Sequence, residues 1–202
     1  MSINLVSDRG VLRMSSGKVR VPWSELLIVA IFIALGSINY PLILRYEWHK
    51  ILHLVGVIMF LGNITVSACW VYLAQRSNGT AFIAFAIRSV NTMDAWFTRP
   101  GVFLVVLSGL TLSDHWGGPY GKSWNIMGMV LLVLSGLIWF SMLVPCQNKI
   151  LKHIGDADGS ASNGTLSLEL RSMLGKWFTW GAMATVLPIL ALIVMMIKPD
   201  MW

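Results

Sequence analysis

Histidine is the residue type in this 202-residue chain best suited to hold a metal or a haem iron, and two of the four histidines lie on one apolar helix. His49 and His53 stand four apart in EWHKILHLVGVIMFLGNITVSACWVYLAQ, residues 47–75, so on a helix they project from one face. His115 follows a later apolar run, in SDHWGGPYGKS, and His153 lies in a polar stretch where solvation is the plain expectation. A haem b between helices needs an imidazole nitrogen on iron, a second ligand where the iron is six-coordinate, and cations near its propionates. His53 is the first-ranked iron ligand on this reading, His115 or a methionine the second, and Arg45, Lys50 or Lys122 the propionate partners. Because i,i+4 side chains share a face, His49 and His53 do not make the two opposite axial ligands of one haem. The same spacing does suit two adjacent ligands on copper or zinc, with His115 as a third. The plainer roles are headgroup solvation for His49, a hydrogen bond to another helix for His53, and a solvated loop position for His115.

The element that positions the pair is a membrane span. Residues 51–74 contain no charged side chain. About 20 apolar residues, each rising about 1.5 Å, cross a hydrocarbon core of about 30 Å. At helical spacing His49, His53, Gly56, Phe60, Asn63, Ser67 and Trp70 form one stripe, with Leu52, Val55, Ile58, Met59 and Val66 elsewhere on the wheel. Polar and small residues on a spanning helix belong against other helices, since an unpartnered polar group in hydrocarbon is costly.

The whole chain has this character. It is 56% hydrophobic and 12% charged with a mean hydropathy of +0.70. Such a composition excludes a soluble domain and predicts an all-α membrane protein. Five transmembrane helices are predicted, at about 26–44, 51–74, 90–112, 124–145 and 177–197. A basic tail, residues 1–22, precedes a single transmembrane domain, residues 23–202, and lacks the apolar core and cleavage site of a signal peptide. Asp94 and Arg99 are placed at the membrane interface, Arg88 in a loop, and LSLELRSMLGK in a separate amphipathic segment before the last span, which Pro188 interrupts. Gly128, Ser135 and Gly136 predict close helix approach in the fourth span. The net charge of +6 is dispersed between apolar runs, so a nucleic-acid partner is discounted and lipid is the expected surroundings. Cys69 and Cys146 have none of the spacing of a zinc or iron–sulfur motif. No nucleophile triad, phosphate loop or paired-carboxylate pattern appears, so whether the protein is an enzyme stays open.

The residues KILHLVGVIMFLGN around His53, AFAIRSVNTMDAWFTRPG around Arg88, the SGLTL that follows, Val144-Pro145, and WGAMATVLPILALIVMMIKP together resemble a group of small bacterial integral membrane proteins of unknown function. That group is similar to the membrane protoporphyrinogen oxidase family and to the copper-resistance D family, over residues 46–199 of this chain. The resemblance implies haem b binding at His53, because the matching histidine of the oxidase family is implicated in it. Where that family carries a lysine about one turn after the tryptophan of its next helix, this chain has Gly128, so porphyrinogen oxidation does not carry over. The expectation is therefore a haem b protein of the bacterial inner membrane, in electron transfer or haem-linked redox chemistry with a redox partner or as part of a membrane complex. Its alternatives are a copper- or other metal-handling protein and a cofactor-free accessory subunit.

Lys and Arg divide eleven to four between alternate sides of the five predicted spans, placing the amino terminus in the cytoplasm, the carboxyl terminus in the periplasm, and His49, His53 and His115 on the outer side. Reporter fusions or cysteine labelling should accordingly find Gly118 outside and Gly159 inside; the reverse labelling pattern would turn the whole arrangement over.

Overall fold

The computed structural model describes residues 45–77, 79–157 and 167–199. Within them four helices are long and apolar enough to cross a membrane: α1, Tyr46–Arg76; α2, Thr80–Asp114; α3, Ser123–Asp156; and α4, Leu168–Ile197. All-helical architecture is as expected, and four of the five expected spans are seen; the tail 1–22 and the span 26–44 lie outside the described residues. The helices run up and down, so the start of α1, the end of α2, the start of α3 and the end of α4 share one end of the bundle, here the histidine end. The opposite, basic end carries Arg76, Lys149, Lys152, Arg171 and Lys176.

The helices are longer than the charge-free runs. Helix α2 begins at Thr80, directly after Gly79, so Arg88 is a half-buried helical residue and not part of a loop. Asp94 and Arg99 correspondingly fall in mid-helix and not at an interface, which removes Arg99 from the loop cations but leaves the charge bias with the same sense. Helix α4 likewise starts at Leu168, where the Ser167 hydroxyl caps it by accepting from the Leu170 N–H at 3.2 Å, and continues unbroken to Ile197. A charge-free window locates the hydrocarbon-facing part of a helix; charged residues with partners inside the bundle extend it.

Three prolines shape these helices. A proline inside a helix lacks an N–H and clashes with the carbonyl four residues back. Pro100 and Pro145 are each preceded by a five-residue π-helical segment, Asp94–Thr98 in α2 and Trp139–Leu143 in α3. In each the next residue reaches back five positions, Arg99 N–H to Asp94 and Val144 N–H to Trp139, and the widened turn makes room for the ring. Pro188 is handled differently. The carbonyl it orphans, that of Ala184, accepts a hydrogen bond from Ser135 Oγ of α3 at 2.6 Å, so α4 passes through Pro188 without interruption.

Helix α1 packs chiefly on α2, and α3 on α4. The first pair is tightest at Gly56 and Gly101: a Cβ on Gly56 would stand 2.8 Å from the Gly101 carbonyl oxygen, and one on Gly101 would stand 2.9 Å from that of Gly56. In the second pair a Cβ on Gly128 would run into the Met195 side chain, whereas Gly136 faces open space among the described residues. The two pairs meet at the basic end, where Val71, Ala74, Ile83, Ile87, Ile150 and Leu174 are fully buried in one apolar cluster. At the histidine end they are fastened by Lys198, whose left-handed backbone, with φ of 50°, closes α4. Its Nζ lies 4.0 Å from the ring centre of Trp116 and 5.4 Å from that of Trp124, a cation–π clamp. The neighbouring Pro199 carbonyl accepts from Ser123 Oγ at 3.3 Å. Outward faces are apolar, with Ile58, Trp96, Leu137 and Met196 turned towards lipid.

Gly101→Ala should lower the melting temperature of the detergent-solubilised protein, at a cost of about 1–3 kcal/mol for overpacking against backbone, whereas Gly136→Ala should leave it unchanged; equal effects would mean the Gly56–Gly101 crossing is not a close one.

Candidate functional site

The seam between α1 and α2 is a ladder of polar contacts, laid out by the stripe along α1. Reading from the histidine end, Tyr46 stacks on His115 with ring centres 5.0 Å apart, His49 Nδ1 lies 3.0 Å from Thr111 Oγ1, and His53 Nδ1 lies 3.1 Å from Ser108 Oγ. The Gly56–Gly101 crossing follows, and then Asn63 Nδ2 donates to Asp94 Oδ1 at 3.0 Å and to Thr98 Oγ1 at 2.8 Å. Of the predicted stripe Gly56, Phe60, Ser67 and His49 are buried, and His53 and Asn63 are half-buried. Trp70 departs from it: 51% exposed, it yields the inner face to Val71 and Ala74, because at 3.6 residues per turn a stripe drifts round the helix.

The hydroxyl partners engage the same nitrogen, Nδ1, of each ring. Ser108 Oγ donates to the Leu104 carbonyl, which leaves it an acceptor for an Nδ1–H of His53, and the His53 ring also bonds the Val105 backbone. Thr111 Oγ1 donates to the Ser108 carbonyl at 2.8 Å, which leaves it an acceptor for an Nδ1–H of His49 in the same way. With Nδ1 of each ring turned to a hydroxyl, Nε2 is the nitrogen available to a Lewis acid, the arrangement in which a protein orients a metal-binding histidine. His49 is only 8% exposed, and its Nε2 has no hydrogen-bond partner among the described residues. Gly109 sits against His53, where a Cβ would stand 3.3 Å from Cε1.

The remaining predicted site residues are distributed along the histidine end. His115 is exposed and packs on Tyr46 and, edge-on at 5.7 Å, on Trp116, and not on either of the other two histidines. Among the described residues no three of His, Cys, Asp and Glu come together as a metal-ion group, so His49, His53 and His115 are not gathered into a three-ligand set. Arg45 is exposed and pairs loosely with Glu47 at 3.5 Å, Lys50 Nζ sits 5.7 Å from the Tyr46 ring centre, and Lys122 precedes α3. His153 is at the basic end, 3.3 Å from Ser167 Oγ and 3.8 Å from Glu169, where it ties α3 to α4. Cys69 is an exposed free thiol, and the free thiol of Cys146 donates to the Met173 carbonyl at 3.5 Å.

The cavity between the two helix pairs is a second feature, one that spacing along the chain does not reveal. It measures about 440 Å³ and is largely apolar, and both π-helical segments turn side chains into it: Asp94 and Thr98 from α2, Trp139 and Leu143 from α3. The Asp94 carboxyl, 6% exposed, is held by Asn63 and by Thr98 Oγ1, which donates to Oδ1 at 2.8 Å. Gln147 and Trp177 also line it, and neither Gln147 amide atom nor Trp177 Nε1 has a hydrogen-bond partner among the described residues. The sequence does hold a signal pointing here: Asn63 on the α1 stripe, and an aspartate and an arginine around Trp96 in a run otherwise fit to span. π-Turns are over-represented at functional sites, and here two of them face the same space.

Four long apolar helices with polar and small residues turned inward and Trp, Ile and Met turned outward define a polytopic helical membrane protein. Residues 47–199, which contain the histidine seam, both π-turns and the Lys198-Pro199 closure, match the model of a family described as predicted integral membrane protein (DUF2269), and the chain belongs to that family. Nothing matches it among curated proteins or among solved structures.

Asn63→Leu removes two of the bonds that hold Asp94 and Thr98 and leaves a buried carboxyl underbonded, a loss of about 1–3 kcal/mol. Combining it with Asp94→Leu should recover most of that stability, and thermal melts of the two single variants and the double variant measure the coupling directly.

Proposed function

We propose that this protein binds haem b in the bacterial inner membrane, with His53 as an iron ligand, and serves electron transfer or haem-linked redox chemistry. The observation that carries the reading is the placement of His53: its imidazole is half-buried inside the bundle, on the α1–α2 seam, with Nδ1 3.1 Å from Ser108 Oγ. The resemblance of the KILHLVGVIMFLGN helix to that of the protoporphyrinogen oxidase family points to the same residue. A bound haem would supply a one-electron centre whose potential is set by its axial ligand and its surroundings. The chain's own residues do the rest. Ser108 orients the imidazole and raises its basicity through the Nδ1–H bond, Gly109 leaves room beside the ring, and Arg45 and Lys50 provide positive charge at the same end for propionates. The sparsity of cations at the histidine end relative to the basic end favours a periplasmic location for the site, with the carboxyl terminus on that side. A redox partner or further subunits of a membrane complex would then approach from outside.

One observation favours a second reading. His49 presents a buried Nε2, unpartnered among the described residues, one turn from His53, so the pair suits two adjacent ligands on copper.

The visible spectrum of the purified protein and its metal content test both. A reducible Soret band and α band, lost in His53→Ala and retained in His49→Ala, is the expected result; Ser108→Ala should keep the haem but shift its potential, since it frees the imidazole without removing it. His115→Ala serves as the check on the sixth position, an altered spectrum marking it as the second ligand. A colourless protein carrying stoichiometric copper, dependent on both His49 and His53, would replace haem with the metal reading. Full haem occupancy in His53→Ala would sink the proposal and leave the cofactor-free accessory subunit.

A further inference from the structure

The cavity between the helix pairs is a space suited to hydrocarbon. Its polar wall residues turn their groups elsewhere: Ser135 to the Ala184 carbonyl, Thr65 to that of Leu61, Thr185 to that of Gly181, and Asp94 to Asn63 and Thr98. The Gln147 amide and the Trp177 indole N–H are packed beneath the surface of the wall. What remains to meet an occupant is apolar, with Phe60, Leu132, Trp139 and Phe178 among the lining side chains. Left empty, about 440 Å³ of such volume would cost the lining its dispersion contacts. The lining residues Thr65, Cys69 and Ala182 are exposed on the outside of the bundle between α1 and α4, so the cavity communicates with lipid there.

Two arginines stand above that opening, at the basic end. Thr65, Cys69, Tyr72 and Arg76 recur at helical spacing on one face of α1, and all four are exposed. Arg171, Gly175, Phe178 and Ala182 repeat the same spacing on α4, so the exposed Arg171 is in line with Phe178 and Ala182 of the cavity. The two helices are neighbours at this level, with Val71 and Leu174 buried in one cluster. The Arg76 guanidinium is carried on the Tyr72 ring, 4.9 Å from its centre, and Glu169 is turned to His153. Among the described residues neither arginine is in an ion pair. Arg76 lies 7 residues beyond Cys69 and 11 beyond Thr65, about 10 and 16 Å along the helix. One leaflet's acyl chains reach about 15 Å inward from the interface, half the hydrocarbon thickness. A cationic rim one chain length above an apolar cavity open to lipid has the pattern of a phospholipid. We propose that one anionic glycerophospholipid binds here, with an acyl chain lodged between the helix pairs and its phosphate held by Arg76 and Arg171. The planar fork of each guanidinium suits phosphate oxygens. The site uses neither His49 nor His53, and the inference does not rest on haem.

Phosphatidylglycerol carrying a diazirine midway along one acyl chain, mixed into phosphatidylcholine nanodiscs that hold the full chain, tests it. Irradiation should attach one lipid per chain, on cavity residues such as Leu132, Trp139 and Phe178. The same acyl chains on phosphatidylcholine should label the cavity about tenfold less, and Arg76→Gln and Arg171→Gln should each weaken labelling by phosphatidylglycerol about fivefold, the usual contribution of one arginine beside anionic lipid. Gly136→Phe acts on the other half of the site. It lies on the cavity wall with nothing within 4 Å of its Cβ, so a phenylalanine there fills the space and should abolish cavity labelling while both arginines remain. If that variant fails to accumulate, the arginine variants and the headgroup comparison decide. Label confined to outward residues such as Ile58, Leu137 and Met196, equal cavity labelling by phosphatidylcholine, undiminished labelling in Gly136→Phe, or unchanged labelling in both arginine variants would each overturn the proposal.

Discussion

Every polar group inside this bundle must find its partner within the protein, because the bilayer core has no water to supply one. That constraint explains features which look unrelated in isolation. Ser135 reaches across from α3 to the Ala184 carbonyl that Pro188 leaves unbonded, Thr111 and Ser108 bond the histidine Nδ1 atoms, and Asn63 bridges Asp94 and Thr98. Small residues make such reach possible. With Gly56 against Gly101, the α1 and α2 backbones come close enough for one-bond contacts between short side chains on both sides of the crossing.

The same constraint gives meaning to the exceptions. His49 Nε2, the Gln147 amide and the Trp177 indole are buried and unbonded among the described residues, and they divide between two places: the α1–α2 seam near the histidine end and the cavity between the pairs. The seam holds imidazole nitrogens, a ligand type that suits iron or copper, whereas the Gln147 amide and the Trp177 indole N–H are packed into the wall beside the cavity. Other polar side chains of the bundle are bonded, as Cys146 and Asn125 are to the Met173 and Pro119 carbonyls.

Proline is the agent that shapes the cavity. Pro100 and Pro145 each impose a π-turn on the residues just before them, and each turn changes the helical register by one position, setting Asp94 with Thr98 and Trp139 with Leu143 towards the space between the pairs. The pairs are joined firmly at the basic end by the apolar cluster around Ile87 and Leu174 and at the histidine end by Lys198 on Trp116 and Trp124. Tied at both ends, they leave room in between. Lys198 and Pro199 thus act on assembly of the bundle, and the helical Arg88 stands on the basic-end half of α2, remote from His53.

Composition and periodicity alone determined that this is an all-helical membrane protein, that α1 turns His49, His53, Gly56, Phe60, Asn63 and Ser67 inward, and that the basic residues gather at one end, since hydrophobic length, helical spacing and charge bias are local properties of a chain. Helix ends were less legible. Arg88, Asp94 and Arg99 interrupt the charge-free run, and whether a charge ends a span or is accommodated inside one depends on neighbours such as Asn63 that lie far off in sequence. The hydrogen bond of His53 was beyond the sequence for the same reason: its partner is Ser108, fifty-five residues away. Only the tertiary structure could decide that Gln147 and Trp177 share a cavity, because their convergence results from two proline-induced changes of register and from the separation of two helix pairs, neither of which leaves a periodic trace along the chain.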